Sequence, residues 1–164
     1  MEVDAMLLIE AIYCDYSACC DDFKNGIDYL TARSFSQAAE SFLLASESVA
    51  ETSQYHNIYA SYCGISRLMY GDFEAIELCR RAVNNEWKNA DVFLNLARAE
   101  LFCENRLNAV LAIEKGFVID RCHIGLCMLD KKVGLRRRNA IPFLPRKNII
   151  NQFVGKQLRK NKLV

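Results

Sequence analysis

Apolar side chains recur at intervals of three and four along most of the chain, with polar residues between them. That is the period of the α-helix, not the strand. The clearest stretch is Gly26 to Ala45. There small residues (Gly26, Ala38, Ala45) alternate with large ones (Tyr29, Phe35, Phe42), as in two short helices packed face to face. The same reading predicts helices over about 3–16, 18–32, 34–50, 54–70, 73–84, 89–103, 107–119 and 124–133. Ser34 is expected to cap the third of these, with Gln37 completing a capping box. Gly71 suits a left-handed C-terminal position and Asp72 the N-cap that follows it.

The helices repeat in pairs. A motif alanine recurs as Ala38, Ala75 and Ala109, a large or apolar residue as Phe42, Cys79 and Ile113, and a small one as Ala45, Ala82 and Gly116. Each series steps by 37 and then 34 residues. Two helices in a period of about 34 residues predict an all-α solenoid of antiparallel helix pairs. The expected repeats cover about 19–52, 56–88 and 90–121, with a capping helix near Ile124 to Val133 closing a domain over 1–134.

These positions resemble the tetratricopeptide repeat (TPR). The first repeat carries its pattern through Gly26, Tyr29, Ala38, Phe42 and Ala45, and the third through Asn95, Leu96, Ala97, Ala109 and Gly116. The second has Arg67 at a position usually aromatic and is one residue short between Phe73 and Ala75. The third has Glu100 and Arg106 at positions usually aromatic, and the closing proline is absent from all three. The resemblance implies a superhelix whose first helices line a concave groove for a partner peptide. By motif position that groove would present Phe23, Ile27, Leu30, Ile65, Leu68, Leu94, Asn95, Arg98 and Leu101. The family's carboxylate clamp is not expected, because Phe23 and Ile27 stand where two of its polar residues belong.

Charge divides the chain. Residues 1–120 hold 9 Lys/Arg against 19 Asp/Glu, and residues 121–164 hold 12 against 1, so a body of −10 adjoins a segment of +11. Residues 135–164 read as a basic, proline-containing tail with Arg136, Arg137, Arg138, Arg146, Lys147, Lys156, Arg159 and Lys160. Ile150, Phe153, Val154 and Leu158 form one face of a short amphipathic helix within it. That apolar face favours docking of the tail on its own body, ahead of a partner-binding arm or a solvated one. The alternative function is contact with nucleic acid or an anionic membrane through the tail.

Candidate chemistry is sparse. The 8 cysteines lie mostly in helical patterns, and Cys122, His123 and Cys127 lack the second half of a zinc site. No phosphate loop, HExxH or GxSxG occurs, so no catalytic residue, metal or cofactor is expected. Acidic residues stand where a signal peptide has basic ones, and no window reaches membrane-spanning length. The expected function is a non-enzymatic, cytoplasmic protein–protein interaction module, adaptor or chaperone-like. It would bind a partner peptide or helix in the groove, with the chain's own tail as a competing occupant.

Overall fold

The computed structural model describes residues 16–84 and 86–133, and all regular structure among them is helical. Seven α-helices follow in order: α1 (Asp21–Thr31), α2 (Phe35–Glu47), α3 (His56–Tyr70), α4 (Ile76–Ala82), α5 (Ala90–Phe102), α6 (Arg106–Ile119) and α7 (Ile124–Val133). The helix predicted over 3–16 and the basic tail fall outside the described residues. Successive helices pack on each other, α3 also packs on α5, and α5 touches α7. No described helix is long and apolar enough to cross a membrane.

The three short turns, α1 to α2, α3 to α4 and α5 to α6, are built alike. Each turns on one residue of positive φ: Arg33 (61°), Gly71 (109°) and Glu104 (61°). Its N–H donates to the carbonyl of a leucine three residues back, Leu30, Leu68 or Leu101. The next N–H reaches one residue further, to Tyr29, Arg67 or Glu100, at 2.9, 3.0 and 2.7 Å. This is the paired-bond helix terminus that satisfies the last carbonyls of a helix. Only Gly71 has the residue type that occupies this conformation freely. Arg33→Gly and Glu104→Gly are therefore each expected to raise the unfolding free energy by about 0.5–1 kcal/mol, read by urea denaturation.

The connection from α3 to α4 is one residue shorter than its two counterparts. Five residues separate Arg33 from Ala38 and Glu104 from Ala109, but four separate Gly71 from Ala75. The short connection is wound more tightly, as a 3₁₀ turn over Phe73–Ala75, before α4 begins. A 3₁₀ turn needs fewer residues than an α turn, so it brings Ala75 into position despite the deletion. Asp72 does not cap this helix with its side chain. Its Oδ2 instead accepts from Arg67 Nε and NH2 at 2.9 and 2.6 Å. The capping box at Ser34 is also not formed, because Ser34 makes no side-chain bond to the start of α2.

The helix pairs close on small residues. A Cβ on Gly26 would lie 2.6 Å from the Phe42 ring, and one on Gly64 would lie 2.8 Å from Cys79 Sγ. Both glycines thus sit against a residue of the following helix, the bulky Phe42 in the first case and the smaller Cys79 in the second. Phe42 is buried with Phe23, Tyr59 and Tyr62 in an aromatic cluster joining α1, α2 and α3. Tyr29, expected to fill this space, is instead 37% exposed. A second cluster joins α5, α6 and α7 through Leu94, Ala97, Ile113, Leu126 and Leu129. A third joins α3, α4 and α5 through Ile65, Leu68, Ile76, Cys79 and Ala99.

Candidate functional site

The groove residues expected from the repeat pattern are mostly interior. Phe23 and Leu30 belong to the aromatic cluster, Ile65 and Leu68 to the cluster around Cys79, and Leu94 to that around Ile113. Asn95 and Arg98 are buried as well, while Ile27 and Leu101 keep partial exposure. As the described residues stand, only those two offer surface to a partner. The apolar residues of the expected strip hold helices together, and the polar pair belongs to something different.

That something is a buried polar network between α3, α5 and the start of α7. Asn89 caps α5, its side chain accepting from the Asp91 N–H at 3.0 Å, and this sets the Asp91 carboxylate in the first turn of the helix. Asp91 Oδ2 accepts from the Tyr16 hydroxyl at 3.1 Å. The Tyr16 and Tyr62 hydroxyls lie 2.6 Å apart, so Tyr62 donates to Tyr16, which passes its own proton toward Asp91. Asp91 Oδ1 lies 3.1 Å from His123 Nε2. His123 Nδ1 accepts the Leu126 N–H at 3.2 Å, the bond of a helix N-cap, here made by an imidazole at the start of α7. With Nδ1 accepting, Nε2 carries the hydrogen and donates to Asp91, which fixes the neutral tautomer.

One turn further along α5 the network is incomplete. Asn95 Nδ2 donates to Ser61 Oγ at 3.1 Å, and Ser61 donates on to the Ile58 carbonyl at 2.8 Å. Arg98 NH1 reaches Asn95 Oδ1 at 3.4 Å, a long bond, and Arg98 Nε has no partner. A guanidinium presents five donors, and this one is only 4% exposed. Burial pushes its pKa below the ordinary arginine range, opposed by Tyr62, Asp91 and Tyr16. A buried cation with unmet donors is costly. Its chemistry suits an anion or a carbonyl oxygen.

The arrangement offers no activated nucleophile. Both His123 nitrogens are engaged. Burial pushes the Cys63 and Cys79 thiols up, away from the reactive thiolate, and their sulfurs donate to the Ala39 and Ser61 carbonyls. Among the described residues, no three His, Cys, Asp or Glu side chains converge as metal ligands do.

Two more departures from the repeat pattern have structural roles. Arg106 donates through NH2 to the Val133 carbonyl at the end of α7, where a cation complements the helix dipole. Glu100 is buried and accepts from Arg80 on α4 through Nε and NH2, at 2.8 and 3.1 Å. Sequence reading singled out Asn95 and Arg98 but missed Ser61, Tyr62, Asp91 and His123. A histidine three residues before the first buried leucine of α7 was the available sign of its capping role. The basic residues Arg136, Arg137, Arg138, Arg146, Lys147, Lys156, Arg159 and Lys160 lie outside the described residues. No protein-family model matches the chain, and neither a curated protein nor a solved structure does.

Proposed function

We propose that the chain is a non-enzymatic protein–protein interaction module of tetratricopeptide-like helical repeats, with α7 as its cap. It holds a partner segment on partly exposed Ile27 and Leu101, with a carboxylate or backbone carbonyl reaching the edge of the Arg98 guanidinium, which fully buried Asn95 positions. Three helix-to-helix turns with the same paired hydrogen bonds and the recurring Gly26 and Gly64 contacts support the repeat reading. The observation that carries the function is the Arg98 guanidinium, buried with one long hydrogen bond and an unpaired Nε. A residue kept only for stability would be matched. A bound carboxylate would supply two acceptors in the fork geometry that arginine favours. Partly exposed Ile27 and Leu101 are available for apolar contact. The free thiols of Cys63, Cys79 and Cys103 support a reducing, cytoplasmic setting.

Arg98→Met tests this by separating stability from binding. Replacing an unmatched buried charge by an apolar side chain of similar length is expected to leave the unfolding free energy unchanged or raise it by about 1–2 kcal/mol. The same change is expected to abolish capture of peptides bearing a free α-carboxylate, measured by fluorescence polarisation across a random C-terminal library. Amidated versions of the captured peptides should bind the unmodified chain at least about tenfold more weakly. Equal binding of free and amidated peptides, unaffected by Arg98→Met, would remove the carboxylate reading.

A further inference from the structure

A second site lies apart from Arg98. Helices α2 and α4 both pack on α3 but not closely on each other. The cleft between them holds a cavity of about 280 Å³. Its floor is one stripe of α3, His56, Ala60, Cys63 and Arg67, at the helical spacing of four, three and four. Leu43 and Ser46 form the α2 wall, and Leu78, Arg81 and Ala82 the α4 wall. The small side chains at Ala60, Cys63 and Ala82 leave the space. The brevity of α4, seven residues after its 3₁₀ start, keeps it from being filled from above.

The lining has a sign. None of its residues is acidic, although the surrounding body of residues 1–120 carries a net −10. Two arginines reach it. Arg67 is held by Asp72, but the Arg81 side chain has no ion-pair or hydrogen-bond partner among the described residues. His56, at the first position of α3, keeps its Nδ1 shielded from water and without a partner. The rest of the lining is largely apolar. The shielded His56 nitrogen does not face the open cavity, so one uncommitted cation, that of Arg81, borders an apolar cavity near the lower size limit of small-molecule sites.

We propose that this cleft binds a small organic carboxylate with a compact apolar or aromatic body. The carboxylate would meet Arg81, and the body would lie against Ala60, Cys63, Leu78 and Ala82. Charge decides between anions. Only one arginine is uncommitted, and carboxylates stand just outside: Asp72 on Arg67, and Glu86 on Asn57. That balance fits a monoanion and disfavours a dianionic phosphate ester.

The test is NMR titration of the full chain with three probes of one shape: benzoate, benzamide and phenyl phosphate. Benzoate is expected to shift the Ala60 and Ala82 methyl signals with a Kd on the order of 1 mM. Benzamide and phenyl phosphate are each expected to bind about tenfold more weakly or not at all. Arg81→Gln removes an exposed cation without touching a core contact, and it should weaken benzoate about tenfold with the thermal transition unchanged. Lys115→Gln, on the far helix α6, should leave benzoate binding as it is. Benzamide matching benzoate, phenyl phosphate exceeding it, Arg81→Gln without effect or Lys115→Gln with an equal one would each overturn the proposal.

Discussion

Phe23→Ala is expected to lower the unfolding free energy by about 3–5 kcal/mol, the cost of truncating a fully buried aromatic side chain. The ring is 0% exposed and central to the aromatic cluster. Its centroid lies 5.1 Å from that of Tyr16, 5.2 Å from Phe42, 4.7 Å from Tyr59 and 5.3 Å from Tyr62. The pairs with Tyr16 and Tyr62 are edge-to-face, that with Tyr59 is stacked and that with Phe42 tilted; such ring pairs add to the area term, and alanine would forfeit all four. The surrounding rings cannot collapse inward, because Phe42 is already pressed against Gly26. The urea midpoint should therefore fall with little change in slope. Ile27, one turn along α1 and partly exposed, supplies the contrast, and Ile27→Ala is expected to cost only about 1 kcal/mol. If Phe23 lined an open groove, the order would reverse: Phe23→Ala would reduce partner binding and leave stability nearly intact.

That contrast also marks where the sequence stopped being informative. Helix positions were legible, since Gly26, Ala38 and Phe42 fix a spacing that only two packed helices satisfy. The all-helical class was legible too, and the connection that is one residue short is where a 3₁₀ turn stands. Facing was not. A helix advertises its buried side through amphipathicity, but α5 is buried on nearly every side, Asp91, Asn95, Arg98 and Glu100 included, so its polar residues do not mark a solvent face. On such a helix Asn95 and Arg98 look like groove polarity, when Asn95 is tied to Ser61 of α3. The Asp91–His123 bond joins residues 32 apart, and nothing local announces it. Ser34 does stand at the N-cap of α2, but its side chain makes no capping bond, since the box depends on a backbone angle that the sequence does not specify.

Glu100 shows the same blindness at larger energetic cost, and Arg80→Ala measures it. The Glu100 side chain is 3% exposed and that of Arg80 36%. The acceptors around Arg80, Glu100 first and then Glu77, hold its proton more tightly than an arginine in water would. Asn108 Nδ2 adds a long bond of 3.5 Å to Glu100 Oε2. Arg80→Ala leaves a buried carboxylate with that one weak donor. The expected loss is about 2–4 kcal/mol, slightly under the value for a fully buried pair because Arg80 is partly solvated. Glu100→Leu removes the buried charge itself and returns Arg80 to Glu77 and water, so about 1 kcal/mol or less is expected. The double variant Arg80→Leu with Glu100→Leu should unfold within about 1 kcal/mol of the unmodified chain, since two apolar side chains refill the place where the repeat pattern has an aromatic. The asymmetry between the two single variants is the diagnostic, read from urea curves at one pH. A pair valued for attraction alone would lose the same amount whichever partner was removed. A pair that exists to neutralise a buried carboxylate loses far more when the arginine goes.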